Sequence, residues 1–368
     1  MATFSPEQIR KKFEGIGVRQ VRLVCGVILF AYLLSHFLNH ALGNISTNAL
    51  AAGVTYHVEF WQFLPVAIVL YTAILLHFAL GVWALYQRRQ FSWKTVEPLQ
   101  LVLGLSIPML IAAHIVGVRL AQTLYGHDKL YPQELYAFWV AYYPYKTLEM
   151  SAVLIIAWVH GCIGLHFWLR MKPLYKRLAP FLLAGAVLIP TLALLGFYQG
   201  GQTVISEAED PDWRITNLGR QQVGTQAEQS MLDTVTDGFL TGYLVLLGLV
   251  VLARGVRVLN ERRGGMIALS YGNGRTVRVP KGLSVLEASL RNNVPHASVC
   301  GGRARCSTCR IRIIGDCSAL PEPSQREAFV LARVGASDPS IRLACQLRPA
   351  EDLSFFQLFL PSTTTANT

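Results

Sequence analysis

The sequence predicts a two-part membrane protein: an all-α bundle of six spanning helices followed by a C-terminal α+β domain. Three observations carry this. Six long, predominantly apolar blocks lie within positions 20–253, the character of the chain changes at Gly264–Gly265, and five of the seven cysteines fall between 300 and 345, four of them at a metal-cluster spacing. Hydrophobic residues make up 52% of the 368 residues and charged residues 15%. A chain folded in water carries more charge than that.

The apolar blocks run roughly over 20–41, 63–86, 99–121, 147–170, 179–198 and 233–253. Each has the ~20 residues that cross ~30 Å of hydrocarbon at ~1.5 Å per residue. Backbone groups in lipid must bond internally, so each block is read as a helix. The first has full spanning length with no small-residue cleavage site after it, which argues against a cleavable signal. The net charge is +11, and basic residues cluster beside these blocks, which points to membrane orientation rather than nucleic acid. Arg10, Lys11, Lys12, Arg19 and Arg22 border the first block. Arg88, Arg89 and Lys94 separate the second from the third, and Arg170, Lys172, Lys176 and Arg177 the fourth from the fifth. The connection after the first block has no Lys or Arg, and 199–232 has only Arg214 and Arg220. The N-terminus is therefore expected in the cytoplasm. Six crossings return the chain there, with Arg254, Arg257, Arg262 and Arg263 at the exit. Trp61, Trp139 and Tyr142 read as outer-interface anchors. No internal repeat is read.

Six of the nine histidines lie in spanning blocks: His36, His40, His77, His114, His160 and His166. Ionisable residues in lipid are costly and mark function. Measured from the cytoplasmic end, His36 and His114 both lie at ~24 Å, His77 at ~14 Å and His160 at ~15 Å. Bis-histidine haem b needs two imidazoles at one level on facing helices. His36 with His114 is thus expected to hold an outer haem, and His77 with His160 an inner one, forming an electron path across the membrane. Gly81, Gly117 and Gly164 share helix faces with His77, His114 and His160 and would leave room for a porphyrin. His40 and His166 are alternates. His40 could replace His36, bond a haem propionate or bond a quinone, and His166 lies on a different face from His160. Arg119 is a candidate propionate partner or, equally, a snorkelling interface arginine.

After Gly265 the pattern is that of a small sheet domain over 265–360. Met266–Ser270 and Arg275–Pro280 read as strands around a turn at Tyr271–Gly274. Ser284 and Glu287 form a capping box for a helix over 285–292. A strand over 310–314, a helix near 325–333 and a strand over 352–359 follow. The tail 361–368 is polar and expected to be disordered. Between the elements lies CGGRARCSTCRIRI and, later, RLACQLRP. The spacing is C-x5-C-x2-C, with a remote fourth cysteine. Three thiolates from one loop and one from afar is the [2Fe–2S] arrangement, on Cys300, Cys306, Cys309 and Cys345. Gly301 and Gly302 let the backbone approach the sulfides, and Ser307 and Thr308 are small enough to fit between ligands. The competing reading is structural zinc on four cysteines, which ordinarily shows two short Cys pairs. An odd cysteine count argues against a disulfide framework, and Cys317 reads as a packed free thiol.

This loop resembles the adrenodoxin-like branch of [2Fe–2S] ferredoxins, whose fold is a β-grasp. Those ferredoxins are usually acidic, to dock basic reductases. Here residues 254–368 hold 16 Lys plus Arg against 8 Asp plus Glu, a balance of +8. Exchange with the protein's own membrane part is expected instead. The stretches LLSHFLNHALGNIS, LLHFALGVWALYQRR, AAHIVGVRLAQTLYG and WVHGCIGLHFWLRMKPLYKRLAP resemble the membrane anchor of certain bacterial class III adenylate cyclases. That anchor is similar to the dihaem cytochrome b subunits of succinate dehydrogenase and fumarate reductase, and in some of these cyclases a ferredoxin domain follows it. The resemblance implies a bacterial inner membrane, two haems b, contact with the quinone pool, a homodimer and redox control of cyclic AMP synthesis. It divides the chain into a cytochrome b-like domain (1–258) and a ferredoxin domain (265–360). No cyclase catalytic domain is read within these residues, so that output would lie in cis beyond Thr368 or in a partner. The expected function is a membrane redox sensor moving electrons between quinone, haems and cluster. The alternative is a stand-alone quinone-linked oxidoreductase serving a soluble acceptor, or a structural anchor with an idle cluster. No Rossmann fingerprint, flavin motif or catalytic triad is found.

Overall fold

The computed structural model describes residues 17–87, 96–127, 130–170, 172–318 and 320–360. The basic residues Arg10, Lys11, Lys12, Arg88, Arg89 and Lys94 and the tail 361–368 lie outside them. Among the described residues, six helices are long and apolar enough to cross a membrane. They are α1 (Val18–Ala41), α3 (Leu64–Gln87), α4 (Val96–Ile115), α6 (Tyr145–Leu169), α7 (Tyr175–Glu207) and α8 (Gln226–Arg263). The helix of α4 runs on through a π turn at Val116–Leu120 into Ala121–Tyr125. These match the six expected blocks, with longer ends.

Among the described residues, helices that the apolar pattern does not announce include α2 (Thr47–Gln62) and the short α5 (Tyr131–Tyr136). Ser46 caps α2 by accepting from the Ala49 amide, as an N-cap serine should.

Helices α1 and α7 pack backbone against backbone. A Cβ on Gly196 would run into the His40 carbonyl, and one on Gly43 into the Gly196 carbonyl. Small residues at such a crossing are what lets spanning helices approach. Asn44 Nδ2 then donates to the Leu192 carbonyl at 2.8 Å. Phe37, Leu154, Trp158 and Ala193 fill the interior between α1, α6 and α7, and Trp158 Nε1 donates to the Ala186 carbonyl at 2.8 Å. The outward faces are apolar: Leu75 is 69% exposed and Phe181 75%. Leaving such a side chain in water costs ~1.5–3 kcal/mol, so a run of them makes lipid the fitting solvent. Trp139, read as an interface anchor, packs inward: a Cβ on Gly201 would strike its ring, and Phe197 lies 5.4 Å away.

The chain divides into two compact units, one ending and the other resuming between Gly248 and Leu249 within α8. The second unit holds a five-stranded mixed sheet of order β2-β1-β5-β3-β4. Strands β1 (Met266–Tyr271) and β2 (Thr276–Pro280) form the expected hairpin, closed where Gly274 adopts φ +82°. β5 (Leu353–Gln357) runs parallel to β1 and antiparallel to β3 (Arg310–Ile314), and β4 (Ile341–Leu343) closes the far edge. This order agrees with the β-grasp expectation. β4 was not among the expected strands: its three residues are too few for a period-2 pattern to register. Ile267, Leu269 and Tyr271 point inward from β1 and meet Phe355, Ile311 and Leu343. Helices α9 (Val285–Arg291) and α10 (Gln325–Arg333) add Val285, Leu286, Val330 and Leu331 to that core.

Candidate redox sites

The cysteine loop is held from both sides. Ser284 and Glu287 close a complete capping box on α9. The first amides of α9 donate outward, Val285 to the Leu347 carbonyl at 3.0 Å and Leu286 to the Ala344 carbonyl at 2.9 Å. Orphan donors of a helix start thus grip the segment presenting Cys345. On its other side Arg342 clamps Glu327 of α10 through two bonds of 3.0 Å, Nε to Oε1 and Nη2 to Oε2. Leu343 N adds a third, at 2.7 Å. Both side chains are buried. Cys317, read as a packed thiol, is half-buried against the core.

Within the loop Gly301, Gly302 and Ala304 have φ of +64°, +80° and +46°. For alanine that is a strained backbone, of the kind that concentrates at functional sites. The turn aims donors at sulfur. Arg303 N lies 3.3 Å from Cys300 Sγ and Cys300 N 3.4 Å from Cys306 Sγ. Thr308 Oγ1 accepts from the Val299 amide and turns its hydroxyl to Cys306 Sγ at 3.1 Å. Gln346 Nε2 reaches Cys345 Sγ at 3.5 Å.

The four thiols form two pairs, Cys300 with Cys306 and Cys309 with Cys345. The hydrogen bond from Cys306, aided by backbone amides, holds the Cys300 thiol down to about 4, and Cys306 is pushed up in return. Cys309 likewise lowers Cys345 and is itself raised. Among the described residues no three His, Cys, Asp or Glu side chains converge as one metal ion requires. Two pairs with N–H donors around them suit a binuclear cluster, which takes two ligands at each iron, better than one tetrahedral zinc.

In the helical unit the expected imidazole partners lie near one another, although the His36 ring stands closer to those of His40 and His57, at 4.6 and 5.3 Å. His77 Nδ1 lies 3.1 Å from the Arg22 carbonyl and His160 Nδ1 2.9 Å from the Gln100 carbonyl. A carbonyl only accepts, so each Nδ1 carries the proton and each Nε2 keeps its lone pair. That is the second-shell arrangement of a metal-ligating histidine. The His77 and His160 ring centroids stand 6.3 Å apart, and those of His36 and His114 6.5 Å. Two imidazoles bound across one metal at about 2 Å each put their centroids roughly 6 Å apart.

Each ring of the first pair rests on a glycine of the neighbouring helix. A Cβ on Gly26 would stand 3.0 Å from His77 Cε1, and one on Gly104 2.6 Å from His160 Cε1. These two glycines were not among the expected site residues. A signal for them was present: Arg22-Leu-Val-x-Gly26-x9-His36 matches Gln100-Leu-Val-x-Gly104-x9-His114, and His77-x3-Gly81 matches His160-x3-Gly164. The two segments thus carry a short repeated pattern, in which His36 matches His114 and His77 matches His160.

The other expected residues divide. Gly81 and Gly117 have nothing within 4 Å of a would-be Cβ, whereas Gly164 faces Gln100 Nε2 at 3.3 Å. His40 touches His36, Nε2 to Nε2 at 3.3 Å, and its Nδ1 meets the Tyr131 hydroxyl at 2.7 Å. His166 Nδ1 meets the Tyr175 hydroxyl at 2.6 Å. Arg119 donates to the Tyr71 hydroxyl and to Gln122 Oε1. His57 of α2 was missed; its ring lies 5.3 Å from that of His36 and its Nδ1 3.3 Å from Ser35 Oγ. Burial pushes His57 down to about 4.

Residues 270–350 match the 2Fe-2S iron-sulfur cluster binding domain family. Ferredoxin CarAc of a Sphingomonas species is 34% identical over 108 residues, 29% of this chain and 93% of its own length. A 2Fe-2S ferredoxin of Rickettsia conorii is 33% identical over 98 residues, 26% of this chain and 87% of its own. The mitochondrial adrenodoxin homolog of Saccharomyces cerevisiae is 31% identical over 97 residues, and this chain spans 56% of its length. The crystal structure of a ferredoxin from Rhodopseudomonas palustris HaA2 aligns with 27% of this chain and all of its own, at 28% identity and a TM-score of 0.22. The paired thiols and their amide donors thus sit in a [2Fe–2S] electron-transfer domain, and through that domain the chain belongs to the 2Fe-2S ferredoxins.

Proposed function

We propose that this protein is a membrane redox module that moves electrons between the quinone pool, two b haems and the [2Fe–2S] cluster. The observation that carries the reading is the His77–His160 pair: two neutral imidazoles, lone pairs free, at the spacing that one bound metal imposes. His36 with His114 holds the second haem at a different depth, and the repeat supports both pairings. Cys300 with Cys306 and Cys309 with Cys345 ligate the two irons. A bound haem supplies reversible one-electron chemistry. The protein's part is to fix the imidazole tautomers through the Arg22 and Gln100 carbonyls and to seat the rings on Gly26 and Gly104.

The positive-inside pattern and six crossings support a cytoplasmic N-terminus and ferredoxin domain in a bacterial inner membrane. Only Gly264 and Gly265 separate α8 from β1, so the cluster domain is tethered at the membrane. The redox state of the cluster would bias an output, for which the resemblance suggests an adenylate cyclase domain in cis or in trans, acting in a homodimer. Optical and EPR redox titration of the purified protein tests the core of this. Two b-type centres and one [2Fe–2S] signal are expected, and protein that keeps its cluster but holds no haem would sink the electron path.

A further inference from the structure

The face around the cluster loop is basic. Arg303 and Arg305 lie half-buried in the loop and Arg310 directly after it, where its Nε donates to the Ser307 carbonyl; no Asp or Glu occurs between 288 and 315, and Arg312, further along β3, is paired with Asp338 at 4.0 Å. On α10, Arg326, Phe329 and Arg333 are spaced i, i+3, i+7 and share one exposed face, while Glu327, Val330 and Leu331 are buried on the other. Arg333 Nη2 donates to the Arg305 carbonyl at 3.0 Å, which fastens that face to the loop. The one carboxylate of α10, Glu327, is 1% exposed and engaged by Arg342, so it offsets none of this charge outwardly. Asp316 is turned into its own turn by Ser318 N and Oγ, and Glu322 precedes α10. Phe329 and Val299 are 67% and 63% exposed.

We infer that this face docks an acidic protein surface surrounding a redox centre, with carboxylates set against Arg303, Arg305, Arg326 and Arg333 and apolar contact at Phe329 and Val299. Arginine and aromatic side chains together are the composition of a protein–protein contact, and charge complementarity sets the encounter rate of weak redox pairs. A lipid surface would satisfy the charge but accepts no electron. The step is one electron from the reduced cluster to the partner's oxidised centre; no bond forms and no proton moves. The inference rests on the cluster being held as proposed.

The test uses the full chain in neutral-lipid nanodiscs and two soluble probes, acidic cytochrome b5 and basic cytochrome c. Binding to cytochrome b5 is expected, weakening steeply with salt, with none to cytochrome c. Arg326→Glu with Arg333→Glu should weaken it on the order of tenfold or more at low salt, with an unchanged EPR signal showing the cluster intact. Phe329→Ala, which keeps every charge, should weaken binding while leaving its salt slope as it was. Equal binding of both probes, or charge-reversed protein that binds as well as the parent, overturns the docking surface. Loss of cytochrome b5 binding on changing to anionic-lipid nanodiscs would overturn it in favour of the membrane surface. An absent EPR signal would strike the cluster reading instead.

Discussion

If the imidazole pairs hold haems as proposed, they and the thiol loop solve one problem, holding a redox group, by opposite means. The loop draws three ligands from ten consecutive residues and fixes them with backbone donors and three left-handed φ angles. In the proposed reading the helical unit would draw one ligand from each of α1, α3, α4 and α6, the His77–His160 pair being fixed by a carbonyl and a glycine seat apiece. Loop ligands depend on one local turn, so losing one disturbs the whole centre. Helix ligands depend on separate rigid rods, so one pair should fail without the other.

Ligand removal probes that difference most strongly. Cys306→Ser takes away one thiolate and the acceptor of the Cys300 amide and the Thr308 hydroxyl. Because metal binding and folding are coupled in such sites, the EPR signal should vanish and the ferredoxin domain should lose much of its protection from proteolysis. His160→Ala should remove about half of the haem and leave the remaining b-type spectrum and the cluster signal intact. Loss of both haems together would show that the two pairs are not independent.

The two regions were also unequally legible. The thiol ligands could be read because their spacing is local, and the capping box at Ser284 and Glu287 formed as its residue types require. The histidine pairing was drawn from depth alone, since positions 77 and 160 lie far apart in the chain and their shared His-x3-Gly spacing is too short to stand out unaided. Gly26 and Gly104 escaped because a glycine in an apolar helix looks like ordinary packing; they emerge only when residues 22–36 are set against 100–114. His57 and α2 escaped because a 16-residue amphipathic helix is too short and too polar to read as a span. The Glu327–Arg342 clamp escaped because two charges fifteen residues apart carry no periodic signal.

That clamp sharpens the comparison from the loop side. Glu327→Ala would leave the buried Arg342 guanidinium without its carboxylate, a loss of ~3–5 kcal/mol. Chemical denaturation followed by cluster absorbance should show that drop for the ferredoxin domain, with haem content unchanged. An effect below about 1 kcal/mol, the size of a surface pair, would mean the clamp does not position Cys345.

A pH dependence should also separate the regions. His296 is buried in the ferredoxin core, its Nδ1 2.9 Å from Ser289 Oγ, and burial lowers it from 6.5 to about 4. The unfolded chain therefore takes up the proton first. The stabilisation is complete above about 6.5 and is lost as pH falls toward 4, amounting to about 3 kcal/mol across that window. Thermal unfolding of the cluster domain should follow that curve, and His296→Gln should flatten it. A parent domain as stable at pH 4.5 as at pH 7.5 would refute a neutral buried His296.

The smallest effect is the one that decides between histidines. His40 aligns with Val118 in the repeat, and His166 with Trp83, so neither has a counterpart imidazole. His36 and His114, and His77 and His160, do. If the repeat governs the ligand set, His166→Phe should leave the haem count unchanged. His40→Phe should do the same, at a cost of about 1 kcal/mol for the bond to Tyr131. The pyridine haemochrome count per chain reads this directly. A drop from two to one in His40→Phe, with His36→Phe keeping two, would move the ligand one turn along α1 and break the equivalence of the two halves at that position. The His77–His160 pair would still stand, since its evidence is the two backbone carbonyls and not the repeat.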